Sequence, residues 1–438
     1  LPFSDDRIRM MVTAIVFSIG DELVLGQTID TNSAWISREL AAIGVRVAEH
    51  VTVADDQAAI EKAIAELAAR CQVLLVSGGL GPTEDDLTRQ ALAAVLGQPL
   101  EENPQAMAAL IARFQKFGRP MSPSNRIQAM LPRGTLMIDN TAGTACGMSA
   151  LLRSNDSEHS CQIFVMPGVP GEMKAMMTKS ILPELRSLAG GAVIRSRTLH
   201  TFGLGESVIG EMLGDLMQRG RNPSVGTTVA DGVVSLRINA AFPSSMQADE
   251  ELVKTAEACR QKLGHLVYGQ DEQKLAQVVA KLLLESKFCR SVATAESCTG
   301  GLLAKMLTDV AGSSAYFQRG WVTYANEAKT QLLKVPAELI EKKGAVSVEV
   351  TEAMAIGALQ ASNSDAALSI TGIAGPDGGT PEKPVGTVCF GLAFNPESPE
   401  VMTRLFRFPG DRAFIRDRSA KMALTLLRFH LMQIALPF

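Results

Sequence analysis

Apolar residues in the first part of the chain alternate between short continuous runs and helical spacing. Residues 12–19, 45–53 and 73–77 are apolar runs of strand length, while 31–43 and 56–70 carry Ala, Ile and Leu at the three- and four-residue steps of a helix face. Such alternation predicts a parallel sheet covered by helices on both faces. From about residue 174 the pattern changes. Strands are predicted at 195–202, 224–229 and 233–240 and helices at 205–218 and 246–263, a β-α-β-β-α order that argues for a small α+β domain. A third pattern opens near 272, with a helix at 274–286, a buried strand at 291–295 and a helix at 302–310. The chain therefore divides at 1–173, 174–271 and 272–438, and its 438 residues exceed what one core usually holds.

Composition narrows the function classes. The net charge is −4 and the Lys and Arg residues are scattered, which argues against nucleic acid as the main partner. Seven cysteines without a Cys-x-x-Cys pair read as reduced thiols of a cytoplasmic protein, and five histidines without a His-x-x-x-His spacing offer no His-rich metal centre. The run at 12–19, with acids before it and Gly20-Asp21-Glu22 after it, is a strand rather than a signal peptide or membrane span, so a soluble protein is expected. Residues 1–10 read as an unstructured leader or cloning remnant.

Two stretches carry chemistry. Ala295-Glu296-Ser297-Cys298-Thr299-Gly300-Gly301 joins a buried strand to a helix, where the first free N–H groups of the helix are expected beside Ser297 and Thr299, open to an anion or a developing oxyanion. A plain helix cap would equally explain one such hydroxyl. Segments 320–329, 369–379 and 409–412 also begin where a predicted strand ends, so all are expected at the carboxyl edge of one sheet. The other stretch is Ser77 to Asp86. Gly78, Gly79 and Gly81 with Pro82 make a backbone cradle for phosphate, and Glu84-Asp85-Asp86 would repel that phosphate unless a divalent cation lies between. The alternative is a helix start, with Thr83 as cap and acids complementing the dipole.

From Ala295 to Arg416 the motifs AESCTGG, VTYANEAK, IAGPDGG followed by KPVGTV, and GDR resemble the C-terminal domain of the CinA (competence/damage-inducible protein A) family, a nicotinamide mononucleotide deamidase. A carboxamide needs an activated nucleophile, a proton for the leaving ammonia and an oxyanion hole. The resemblance implies Ser297 as nucleophile, Lys329 as its base in the Ser-Lys variant of the triad, and Tyr324 beside them, donating to Ser297 or helping to keep Lys329 neutral. The N–H groups of Cys298 and Thr299 are the expected oxyanion donors, with Gly300 allowing close approach. Arg412 and Ser314 would hold the phosphate, with Arg416 in reserve, and Thr371 and Gly372 would frame the ribose or amide. This step calls for no cofactor.

Residues 15–173 are similar to the molybdopterin-binding fold, through SGGLGPTEDD, GDELVLGQTIDTNSAWIS, TAGTACG and MPGVPGEM. In the family this domain is associated with metal-dependent ADP-ribose pyrophosphatase activity. That implies a site of Asp21, Asn32, Gly78, Gly79, Gly81, Thr83, Asp85 and Asp86, with Asp85 and Asp86 on a divalent cation of unspecified identity. The polar stretch 153–160 reads as a lengthened hairpin. The middle domain is KH-like but lacks the Gly-x-x-Gly clamp, so it reads as a spacer or dimerisation element. The expectation is thus an α/β protein with a molybdopterin-binding-like parallel-sheet domain, a KH-like α+β middle domain and an α/β deamidase domain, forming a homodimer with small nucleotides as ligands. Rival classes are a molybdopterin- or nucleotide-binding module without chemistry, and an interaction protein of DNA uptake.

Overall fold

Apolar runs and amphipathic segments alternate in the first part of the chain, and the computed structural model builds them into a layered sheet. It describes residues 12–118, 120–153, 159–188 and 193–438. The expected leader at 1–10 and residues 154–158 of the expected hairpin lie outside the described residues, although the flanking strands pair antiparallel with Arg153 opposite Ser160. The chain divides into two compact units, 1–196 with 239–253, and 197–238 with 254–438.

In the first unit, β1 (Thr13–Ile19), β2 (Arg46–Val53), β3 (Val73–Ser77), β4 (Leu136–Ile138), β5 (Gly147–Arg153) and β6 (Ser160–Met166) form one sheet in the order β2-β1-β3-β6-β5-β4. β2, β1, β3 and β6 run parallel, with Ala14 beside Val73 and Ser18 beside Ser77, while β5 and β4 are antiparallel. The helix Thr31–Ala42 is capped by Asp30, which accepts from the Ser33 N–H, and Gln57–Ala68 by Asp56, which accepts from the Ala59 N–H. Ile36 and Leu40 of the first helix and Ile60, Ile64 and Leu67 of the second are buried, each contributing ~1.5–3 kcal/mol. Because β1 is followed on one side by β2 and on the other by β3, the sheet changes winding direction there. A crevice opens at the carboxyl ends of such strands.

The middle strands β7 (Val193–Phe202), β8 (Ser224–Ala230), β9 (Val233–Phe242) and β10 (Val267–Gln270) pair in the order β8-β9-β7-β10, with helices Glu206–Leu213 and Ser245–Leu263. The helix expected at 205–218 stops at Leu213 because Gly214 takes a positive φ of 54°, and a single 3₁₀ turn follows.

The third sheet is β11 (Val292–Glu296), β12 (Phe317–Val322), β13 (Ala366–Gly372), β14 (Thr387–Phe394) and β15 (Glu400–Arg407), in the order β12-β11-β13-β14-β15. β12, β11 and β13 are parallel and the last two antiparallel. Every residue of β11 is buried, since helices cover both faces of it: Leu303 and Leu307 pack with Leu427 on one side, Met354 and Ala358 on the other. Among the described residues no helix is long and apolar enough to cross a membrane.

Candidate functional site

Ser297 follows directly on β11, and its N–H continues the ladder to the Ile370 carbonyl of β13 at 2.9 Å. This fixes the backbone of the nucleophile candidate. Gly300 and Gly301 then take φ values of 60° and 92°, a sharp turn that side-chain-bearing residues rarely enter, before the helix Leu302–Thr308 begins. The helix's first N–H groups are not free, contrary to expectation. Glu296, completely buried, turns its carboxylate under the turn and accepts from the Leu303 N–H at 3.0 Å and the Ala304 N–H at 2.8 Å. The turn N–H groups of Cys298 and Thr299 have no backbone acceptor among the described residues.

Lys329 reaches Ser297 from the helix Asn326–Leu333 and is only 1% exposed. Its Nζ lies 3.2 Å from Ser297 Oγ, 2.9 Å from the Thr323 carbonyl and 3.2 Å from the Tyr324 carbonyl. The two carbonyls accept two N–H groups in either protonation state, so the third position on the amine faces the serine as N–H or as lone pair. Burial pushes the Lys329 amine below its usual range, against the opposing pull of Cys298 and Glu327. Burial pushes the Cys298 thiol up to about 12, so it stays protonated and a poor nucleophile near neutrality. Thr299 is fully buried with its hydroxyl unpartnered, and its carbonyl accepts from Arg416 at 2.8 Å.

The other residues expected here separate into near and far. Tyr324 does not turn its phenol to Ser297: the ring is 57% exposed and its oxygen accepts from Arg412 at 2.8 Å, while only its carbonyl meets Lys329. Two residues after β12 the strand periodicity sends the ring outward. Arg412 also donates to the Gly375 carbonyl at 2.7 Å, so it fastens the 373–386 loop to the edge beside Tyr324. Thr371 and Gly372 end β13 next to Ser297, but the Thr371 hydroxyl donates to the Ala345 carbonyl, and a side chain at 372 would meet the Thr387 carbonyl at 2.8 Å. Ser314 is elsewhere. It precedes β12, and the pairing of Val292 with Phe317 puts it at the amino edge of the sheet, a five-residue strand or about 16 Å from the Ser297 edge.

The other candidate site is the crevice of the first unit, a cavity of ≈460 Å³ between the ends of β1, β3 and β6. Gly78 and Gly79 have φ of 121° and 65°, and a Cβ on either would collide with Ile19 O or Thr88 Oγ1 at about 2 Å, so the loop needs glycine there. Asp86 is not free to ligate as expected. Its two oxygens accept from the Gly81 N–H, the Thr83 N–H and the Thr83 hydroxyl, bracing the loop. The helix-start alternative fails as well, because the helix begins only at Thr88 and Leu87 at its cap makes no side-chain bond. Asp85 is exposed on the cleft with Glu22 and Asp55. Asp21 exchanges N–H bonds with Asp55, and Asn32 ties the helix start to the Gly168 carbonyl at 2.7 Å. Burial, with the charges of Asp21, Glu22 and Asp85, pushes the Asp55 carboxyl above its usual range. The described residues hold no group of three or more His, Cys, Asp or Glu placed to ligate one ion. A cation fits here only in the manner of magnesium, on one or two carboxylates with water and ligand phosphate completing its shell.

Sequence reasoning passed over Glu296, Asp55, Glu172 and Arg89. The one signal for Glu296 was an acid ending an otherwise apolar buried strand immediately before a glycine turn.

The layered α/β units have crevices at their strand ends, the fold class of a multidomain α/β protein. Family models match in three consecutive stretches: "Probable molybdopterin binding domain" over 15–187, "Damage-inducible protein CinA KH domain" over 196–269 and "CinA C-terminal domain" over 272–431. The CinA-like protein of Citrifermentans bemidjiense is 44% identical over 422 residues, 95% of this chain and 97% of the relative. That of Geobacter sulfurreducens is 42% identical over 416 residues, 95% and 98%. The crystal structure of the competence/damage inducible protein CihA from Agrobacterium tumefaciens is 40% identical, covers 36% of this chain and 96% of its own, and has a TM-score of 0.34. The chain belongs to the CinA family of competence/damage-inducible proteins.

Proposed function

We propose that the C-terminal sheet carries an amidohydrolase that converts nicotinamide mononucleotide to nicotinate mononucleotide and ammonia. The observation behind this reading is the buried contact of Lys329 Nζ with Ser297 Oγ at 3.2 Å, with both other amine positions fixed by carbonyls. The substrate class rests on the family resemblance of the four motifs. Neutral Lys329 takes the Ser297 proton as Oγ adds to the carboxamide carbon. The oxygen that becomes negative is received by the N–H groups of Cys298 and Thr299. Lys329 then gives the proton to the amide nitrogen, the C–N bond breaks and ammonia leaves an acyl-serine. Water, deprotonated by Lys329, releases the carboxylate and returns the proton to Ser297. Arg412 and Arg416, at the edge of the same site, supply guanidinium groups for the phosphate. Ammonia release from nicotinamide mononucleotide by the purified protein tests the reading, and no release above the Ser297→Ala background would overturn it.

For the first unit we infer metal-dependent hydrolysis of ADP-ribose to AMP and ribose 5-phosphate, supported by the glycine loop and the acid-lined crevice beside it. Asp85, with Asp55 or Glu22, would hold the divalent cation, which supplies charge neutralisation at the pyrophosphate and an activated water. AMP formation with and without chelator tests it. A homodimer completes the reading, since Ser314 can serve a substrate at Ser297 only from a second copy. Mass by light scattering, with the activity of Ser314→Ala, checks that contribution.

A further inference from the structure

Among the described residues, the crevice of the first unit is lined by the carboxylate residues Glu22, Asp55, Asp85, Asp86 and Glu172 and by no lysine or arginine. Directly behind its glycine loop lies Arg89, whose side chain is 0% exposed. The guanidinium donates to the Gly81 carbonyl at 3.2 Å and to the Leu80 carbonyl, its Nε has no partner, and among the described residues its negative neighbour is Asp86, which acts on it through the field rather than by an observed ion pair. A buried charge without a counter-ion in direct contact is costly, and loop bracing alone needs hydrogen-bond donors rather than a charge. On the far side of the same residue, Asp86 accepts from the Gly81 N–H at 2.6 Å, so Gly81 is held between a cation and an anion. Drawing the Leu80 and Gly81 carbonyls inward also keeps their oxygens from facing a phosphate in the cleft.

We propose that Arg89 is a positioning residue whose buried positive charge, acting through the Leu80–Gly81 loop, lets this acid-lined cleft accept a phosphate or pyrophosphate group. This rests on the reading of the crevice as a phosphate site. Its role is separate from any cation held by the acids: the cation neutralises from the front and Arg89 from behind, without touching the ligand.

The test is calorimetric titration of the full-length protein with inorganic pyrophosphate in the presence of magnesium. Three variants are compared, Arg89→Lys, Arg89→Gln and Arg89→Met, with circular dichroism melts as the folding control. At a titration pH low enough to keep a buried amine protonated, lysine keeps the charge but cannot span both carbonyls, glutamine keeps a donor without charge, and methionine keeps neither. Affinity is expected to fall by about tenfold or more in the Gln and Met variants, the scale of removing one charge at several ångströms in a partly screened site, and by no more than about threefold in Lys. Equal losses in Lys and Gln would make Arg89 a brace alone and overturn the proposal, as would unchanged affinity in Gln. Should Met fail to fold, the Lys and Gln pair still decides the question. A wild-type protein that binds no pyrophosphate overturns the phosphate reading itself, and the role of Arg89 with it.

Discussion

Around Ser297 the groups proposed to react already touch one another, whereas in the crevice beside β1 and β3 Asp85 faces open space and the other acids brace the backbone or line the cleft. The first site is closed: Ser297 is 8% exposed, Lys329 1% and Glu296 0%, and each is fixed by backbone partners. Its charges are handled internally, by desolvation that lowers the Lys329 pKa and by a carboxylate seated on a helix start. The lining of the second site holds an excess of negative charge, to be offset by a cation in front and by Arg89 behind. Preorganisation therefore lies in different places. In the third sheet the atoms proposed to react are themselves preset, and in the first unit only the loop proposed to receive a phosphate is.

Replacing Ser297 by Ala should break the first site most severely. Ammonia release is expected to fall by roughly three powers of ten or more, leaving only oxyanion-hole and binding contributions, with ADP-ribose turnover unchanged. A variant keeping a tenth of the wild-type rate would reduce Ser297 to a structural turn residue. Lys329→Arg should come next, nearly inactive because a guanidinium does not release its proton. In the wild type the deamidase rate should rise with pH through the lowered Lys329 pKa, as the neutral amine appears. The sign for stability is the same. Between the lowered folded value and the usual unfolded one the unfolded chain binds more protons, so this residue's contribution makes the fold more stable as pH rises through that window. Denaturation midpoints that fall with pH in wild type relative to Lys329→Met would contradict it.

In the crevice the contrast sharpens between neighbours. Asp85→Ala should abolish chelator-sensitive AMP formation and leave the melting temperature alone, because Asp85 is exposed and no bond from its side chain is observed. Asp86→Ala should instead lower stability by about 1–3 kcal/mol through the lost loop bonds, reducing turnover indirectly. If both behave alike in a thermal melt, the division of labour is wrong. Tyr324→Phe is expected to give the smallest effect, a rise in KM of about tenfold or less with kcat nearly kept, since its phenol steadies Arg412 and not the nucleophile. A large fall in kcat would return the phenol to the reacting centre.

Local features were legible in the sequence. The strand–turn–helix around Ser297 and the glycine loop after β3 are written in adjacent residues, so their placement needed only hydrophobic pattern and turn chemistry. Ser314 shows where that reasoning stops: it lies 17 positions from Ser297 in the chain, yet the parallel register sends it to the opposite edge of the sheet. Asp86 and Asp85 are consecutive acids with different fates, because loop curvature turns one toward Gly81 and Thr83 and leaves the other outside. Arg89 was invisible, since an arginine on a helix is ordinarily a surface residue and nothing nearby in sequence marks it as buried. Glu296 was hidden by its company, as the residue before a nucleophile candidate draws less notice than the nucleophile.

The grip of the Thr323 and Tyr324 carbonyls on Lys329 has a kinetic corollary. With two of the amine's positions held against backbone oxygen, only the third can carry a hydron in the proposed reaction, taken from Oγ and passed on to the amide nitrogen. Rates measured in mixtures of light and heavy water should then vary linearly with deuterium fraction, the mark of a single hydron in flight, rather than bowing as they would if the amine were free to rotate and pass protons through a chain of solvent.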